Sequence, residues 1–117
     1  MAELFKHLRD HNIDIIIASD SNTYFIDWIL EANGLKDMVK AVFTNHASFD
    51  EQGYLRIKIH NDHKCEDCPV NMCKSTIVQD YLASCDCKYS RMFYAGDGGN
   101  DFCPLKLLGE DDVIFAR

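Results

Sequence analysis

Four short apolar runs alternate with helical segments along this chain, and that alternation limits its fold more than any other feature. The runs are "DIIIAS" (14–19), "AVFT" (41–44), "RMFYA" (91–95) and "DVIFA" (112–116). Runs of this kind, apolar on consecutive residues and not alternately, suit strands covered on both faces, as in a parallel sheet. Helical patterns separate them. The order strand, helix, strand therefore predicts an α/β fold around a parallel sheet. With 117 residues the chain amounts to one domain or part of one. A chain of that size buries roughly 60–70% of its extended surface, enough for a single core.

The helices carry their own punctuation. "AELFKHLRDHN" places Leu4, Phe5 and Leu8 on one stripe and ends at Asn12. Asp20, Ser21 and Asn22 offer N-caps for "TYFIDWILEAN", which Gly34 closes, with Phe25, Ile26, Ile29 and Leu30 as its inner face and Trp28 as a packing residue. "FDEQGYLRIKI" reads as a turn at Gly53 followed by an alternating strand. "CKSTIVQDYLAS" is helical, with Ile77, Val78, Tyr81 and Leu82 on one side, and "DFCPLKLLG" is a short helix. No repeat, linker or low-complexity tract interrupts the pattern.

Nineteen acids against twelve Lys and Arg give a net charge of −7. That balance excludes a nucleic-acid backbone or an anionic membrane as the expected partner, since both call for a positive field. A small phosphorylated molecule stays open, provided a cation stands between acid and phosphate. Apolar runs such as Ile15 to Ala18 are far shorter than the ~18 residues of a membrane span. The opening "MAELFKHLRDHN" has no apolar stretch typical of a signal peptide. Six cysteines in a chain with its own core point to a reducing compartment, the cytoplasm.

In open parallel sheets, function gathers at the carboxyl ends of strands. Two polar clusters fall at such ends: Ser19 to Asn22, and Gly96 to Asp101 within "MFYAGDGGND". Asp97 and Asp101 could serve a hard cation such as Mg²⁺, which takes one or two carboxylates, waters and a phosphate oxygen. Gly98 and Gly99 would let backbone approach a ligand without a Cβ in the way. The other reading is a strand-to-helix turn with Asp101 as N-cap. Ser19 admits the same two readings, a phosphoryl donor or a turn. Lys74 begins a helix, where the dipole disfavours a cation unless an anion faces it.

The strings "IIIASDSNTYFIDWILE", "VFTN", "CEDCPVNMCK" and "YAGDGGNDFCPLKLL" resemble the haloacid dehalogenase superfamily of phosphatases, and within it the phosphoethanolamine/phosphocholine phosphatase group with its pyridoxal-phosphate phosphatase sibling. The resemblance runs over nearly the whole chain. It implies a Rossmann-like core with a parallel sheet, Mg²⁺ as cofactor and a small phosphorylated metabolite as substrate. It implies that Ser19 hydrogen-bonds the phosphoryl group, that Lys74 neutralises its charge, that Asp97 ligates Mg²⁺ and that Asp101 supports the metal and Lys74. Asp20 would face the substrate head group, with Asn22 and Gly98 also on the substrate side. These residues would surround one spot, and the physics agrees, because phosphoryl transfer is mostly positioning and charge stabilisation.

The family's nucleophile is the first aspartate of an Asp-x-Asp motif, and this chain has no Asp-x-Asp. The expectation is therefore an internal, truncated segment of a phosphatase core, lacking the nucleophile strand and the cap helices. By resemblance that strand lies between "DIIIAS" and "RMFYA". Each backbone group left buried and unpaired by its loss costs about 1–3 kcal/mol. Such a segment alone is expected to be inactive and at best marginally folded.

The loop 60–73, "HNDHKCEDCPVNMC", holds His60, His63, Cys65, Cys68 and Cys73. A Cys-x-x-Cys with a third Cys and a nearby His has structural-zinc spacing. The expected tetrahedral set is His63, Cys65, Cys68 and Cys73, with His60 a spare. Cys103 reads as a small buried apolar residue. The rival to the phosphatase reading is a non-catalytic zinc-binding or interaction module derived from a truncated phosphatase.

Overall fold

The computed structural model describes residues 1–116. The chain divides into two compact units, Met1–His60 and Asn61–Arg117.

The first unit runs α1 (Ala2–Asp10), β1 (Ile16–Asn22), α2 (Thr23–Ala32), a 3-10 turn at Lys36–Met38, β2 (Ala41–Phe49) and β3 (Leu55–Lys58). Both helices end in the same device. Asn12 takes a φ of +55° after α1, and Ile13 N–H reaches back to Leu8 C=O at 2.9 Å. Gly34 takes a φ of +64° after α2, and Leu35 N–H reaches Leu30 C=O at 2.8 Å. A left-handed residue at this point lets the following N–H satisfy a carbonyl of the last turn. Leu30 and Leu35, brought together by that bond, are both buried. The expected stop at Gly34 is the one observed.

Strand β1 pairs in parallel with β2, from Ile16↔Ala41 to Ser19↔Thr44. Then the register jumps to Asn22↔Asn45, so Asp20 and Ser21 bulge out of the ladder. The run read as "AVFT" continues to Phe49, because its polar second half pairs antiparallel with β3 from His46↔Lys58 to Phe49↔Leu55. Gly53 turns this hairpin at a φ of +83°. The expected inner face of α2 needs correction. Leu30 is buried and Ile26 half-buried, but Phe25 and Ile29 are each 47% exposed and Trp28 is 63% exposed. A helix on a three-stranded sheet covers one narrow face, and these side chains lie off it.

The second unit runs α3 (Lys74–Ser84), β4 (Phe93–Gly96), a 3-10 turn at Gly99–Asp101, α4 (Phe102–Leu105) and β5 (Val113–Ala116). Strands β4 and β5 pair in parallel, Phe93↔Val113 to Gly96↔Ala116. Its buried apolar residues are Met72, Cys73, Ile77 and Cys103, with Pro104 fully covered. The observed architecture is thus α/β with parallel strands in both sheets. Among the described residues no helix is long and apolar enough to cross a membrane.

Candidate active site

Strand β4 ends at Gly96, and the chain turns at once through Asp97 and Gly98 into the 3-10 turn that carries Asp101. Asp101 is the hub of that turn. Its Oδ2 accepts from the backbone N–H of Asp97 (3.1 Å) and of Gly98 (3.0 Å). Its Oδ1 accepts from Lys74 Nζ at 2.6 Å and from the Tyr94 hydroxyl at 2.7 Å. A carboxylate offers about four lone-pair sites, so Asp101 is saturated. It braces the turn and Lys74, with all four of these contacts made to protein donors. A Cβ at Gly96 would stand 2.5 Å from Asp101 Cγ, so only glycine lets this carboxylate close beneath the strand.

Both members of the Lys74–Asp101 pair are buried, with side chains 8% and 11% exposed. Burial pushes the Asp101 carboxyl up, but the Lys74 ammonium, the Tyr94 hydroxyl and the Gly98 N–H together hold it below the usual carboxylate range. Lys74 is the first residue of α3, and its counter-charge is this carboxylate. Asp97 is exposed. A shallow cavity of about 160 Å³ opens beside it, walled by Gly98, Phe102 and Phe115. Asp97 thus presents an exposed carboxylate in the turn, and the Gly98 N–H is already taken by Asp101.

Ser19, Asp20 and Asn22 belong to the first unit. Ser19 Oγ accepts from the Ser21 N–H at 3.2 Å, which leaves its O–H to donate. Asn22 is 4% exposed, and its Oδ1 caps α2 by accepting from Phe25 N–H at 3.2 Å. The structure thus gives Asn22 the capping role, not an open face for substrate. The bulge at Asp20–Ser21 is clamped by Asn45, whose Nδ2 donates to both their carbonyls at 2.8 and 2.9 Å. Asn45 Oδ1 accepts from His60 N–H at 3.1 Å, and His60 Nδ1 lies 2.9 Å from Thr44 C=O. His60 is thereby engaged within the first unit.

In the second unit four thiols, from Cys65, Cys68, Cys73 and Cys103, bring their sulfurs within 4.8 Å of one another. His63 is not among them. Its Nε2–H donates to Pro69 C=O at 2.8 Å while its Nδ1 accepts from Cys65 N–H at 3.2 Å. Burial pushes the Cys73 thiol up, but hydrogen bonds with Thr76, Cys68 and Cys65 outweigh it and bring the group down to about 7.

Reading the sequence missed Tyr94, Asn45 and Cys103 as site-building residues. Tyr94 carried a usable signal, since a hydroxyl on a buried-looking strand needs a polar partner. Asn45 and Cys103 act through long-range contacts that no local spacing announces.

The Putative Phosphatase family model matches residues 1–117. "Pyridoxal phosphate phosphatase PHOSPHO2" of Mus musculus is 44% identical over 122 residues, covering 100% of this chain and 51% of its own length. The Bos taurus protein of the same name is 41% identical with the same coverage. "Phosphoethanolamine/phosphocholine phosphatase" of Gallus gallus is 41% identical, covering 100% of this chain and 46% of its own length. The chain spans about half the length of the curated relatives it matches. No solved structure matches it. On a match over its full length, the chain belongs to the Putative Phosphatase family, within the haloacid dehalogenase superfamily.

Proposed function

We propose that the chain is the core segment of a magnesium-dependent phosphomonoesterase acting on a small phosphorylated metabolite, with phosphoethanolamine, phosphocholine and pyridoxal phosphate as candidate substrates. The observation that carries the reading is the buried Lys74–Asp101 pair, 2.6 Å long, whose carboxylate lies in the same turn as the exposed Asp97 at the end of a parallel strand. The names of the relatives supply the substrate class.

Hard oxygen donors suit Mg²⁺, and Asp97 is the residue that would hold it. When bound, the ion would neutralise charge on the transferring phosphoryl group. Lys74, fixed by Asp101, would contribute a second positive charge. The Ser19 hydroxyl would donate to a phosphoryl oxygen, and Asp20 would face a cationic head group. Electrostatic groups fixed in advance are the main source of catalysis in phosphoryl transfer.

The nucleophilic aspartate, and the strand that bears it, would lie outside these 117 residues, since no Asp-x-Asp occurs among them. Two features support this. The strands form two sheets, β1-β2-β3 and β4-β5, so among the described residues β1 and β4 each keep an unpaired edge. Apolar side chains stand exposed in both units, among them Phe25, Trp28, Phe93 and Phe115. A reducing setting, the cytoplasm, suits the free thiols.

The test is Mg²⁺-dependent hydrolysis of an aryl phosphate, then of the three candidate substrates, by the full-length gene product. Lys74→Ala should lower turnover by about a hundredfold or more, as loss of one preorganised charge-stabilising donor does. The 117-residue chain alone should show none, and measurable turnover from it would sink the claim that the nucleophile is supplied from elsewhere. A full-length product inert with every phosphomonoester would overturn the enzymatic reading.

A further inference from the structure

The segment from Asn61 to Cys73 contains no helix or strand, yet it delivers Lys74 to the start of α3. A loop of that length pays an entropic cost to stay fixed, and apolar burial within it comes mainly from Met72 and Cys73 at its end. Its other fastenings include polar contacts that leave the thiols unused. His63 bridges Cys65 N–H and Pro69 C=O, Asn61 Oδ1 accepts from Cys73 N–H at 3.2 Å, and exposed Lys106 pairs with Asp67 at 2.6 Å. None of these needs a cysteine.

The geometry points to a structural zinc site formed by Cys65, Cys68, Cys73 and Cys103, which pins this loop and fixes the spacing between Lys74 and Asp101. Tetrahedral zinc with bonds of about 2.3 Å to sulfur sets its ligands about 3.8 Å apart. The four sulfurs already lie within 4.8 Å of one another, and Cys65 and Cys103 are 3.6 Å apart. Cys73 and Cys103 are buried, while Cys65 and Cys68 are half-exposed, so an ion has an entry path and a closed floor. The other thiols, Cys85 and Cys87, are outside the cluster.

Cys73 immediately precedes Lys74, and Cys103 follows Asp101 by two residues. The cluster therefore ties the start of α3 to the start of α4, which are the two places that supply the ion pair. His63 holds the Cys-x-x-Cys loop in shape from outside the coordination shell, as supporting residues of metal sites do. On binding, Zn²⁺ displaces the thiol protons and takes four thiolates, so affinity falls as pH drops. The zinc claim stands on its own geometry. Only the consequence for Lys74 rests on the phosphatase reading.

The experiment is metal content of the full-length gene product expressed with zinc, and of the 117-residue chain where circular dichroism shows it folded, followed by exchange with Co²⁺ and its visible and charge-transfer absorption. One zinc per chain and a cobalt spectrum of tetrahedral thiolate type are expected, with four of this segment's six thiols slow to react until the metal is removed. Cys103→Ser should lose the four-thiolate spectrum, while His63→Ala and Cys87→Ser should keep it. No bound metal, a Cys65–Cys103 disulfide in its place, or a spectrum lost in His63→Ala and intact in Cys103→Ser would overturn the proposal. The thiol reactivity of the unaltered chain decides the matter even if a variant fails to fold, and neither readout depends on phosphatase activity.

Discussion

Asn45 in the first unit and Asp101 in the second are both buried polar side chains, and each organises the polar turn at the end of a parallel strand. Asn45 does so as a neutral amide, donating to two carbonyls and accepting from one N–H. Asp101 does so as an anion, accepting from two backbone N–H groups, a hydroxyl and a lysine. The partners of Asn45 are all backbone, so it shapes the chain and nothing else. The partners of Asp101 include a buried cation, so its charge must be matched as well as its geometry. A buried pair that loses one partner leaves an uncompensated charge, which is far costlier than a lost neutral hydrogen bond. The first unit should therefore tolerate change at its hub better than the second.

Asp101→Asn is the largest expected effect. It leaves the Lys74 ammonium buried without a counter-charge and should cost about 3–5 kcal/mol in urea denaturation. Lys74→Met combined with Asp101→Asn removes both charges while an amide oxygen still faces the N–H groups of the turn, and it should recover much of that loss while abolishing any role in catalysis. Equal instability of the single and double variants would show that shape, not charge, holds the turn. Tyr94→Phe removes only a neutral donor from the same carboxylate and should cost about 1 kcal/mol.

Asn45→Ala comes next. It strands two carbonyls and one N–H and should cost about 2–3 kcal/mol, with faster amide exchange through the Asp20–Ser21 bulge. Asn45→Asp sharpens the contrast. It keeps the acceptor for His60 N–H but turns an oxygen toward the carbonyls of Asp20 and Ser21, so it should be no better than alanine. An aspartate that stabilises the bulge would mean that donation to those two carbonyls is not what holds it. Asn22→Ala should cost about 1 kcal/mol through loss of the α2 cap, and Asn22→Ser should restore most of it. A serine that restores stability but not substrate affinity would return Asn22 to the substrate side.

The two units also differ in how far the sequence announced them. Helix stops at Asn12 and Gly34, the turn at Gly53 and the strand cores were legible because left-handed residues and apolar runs act locally. The pairing of Lys74 with Asp101 was reached only through resemblance, since nothing in the segment between them dictates that they meet. Cys103 was read as a packing residue because its partners lie in a distant loop, and spacing alone favoured His63. Trp28 looked like core because an apolar residue on a helix says nothing about whether a neighbour is present to cover it.

The smallest effect lies at the surface, where the units resemble each other. Asp50 and Asp112 each close a turn by accepting backbone N–H groups, from Gln52 and Tyr54 in one case and from Gly109 and Met92 in the other. For Asp50 the Tyr54 N–H lowers the carboxyl pKa most, with Arg56 and the Gln52 and Gly53 amides adding to it against burial. For Asp112 the Gly109 and Met92 N–H groups lower it, with Arg91 nearby. Both groups have folded-state pKa values below their unfolded ones. Each therefore contributes stability that is present above the unfolded value, about 4, and is lost as pH falls through the lowered folded value. Both turns should gain amide exchange together in that acid window once intrinsic rates are corrected. The Asn45 clamp has no proton to gain and should hold. Opening of the Asp20–Ser21 bulge in step with these turns would mean that acid reaches it through a route other than its own amide, and the distinction between a neutral and a charged hub would lose its force.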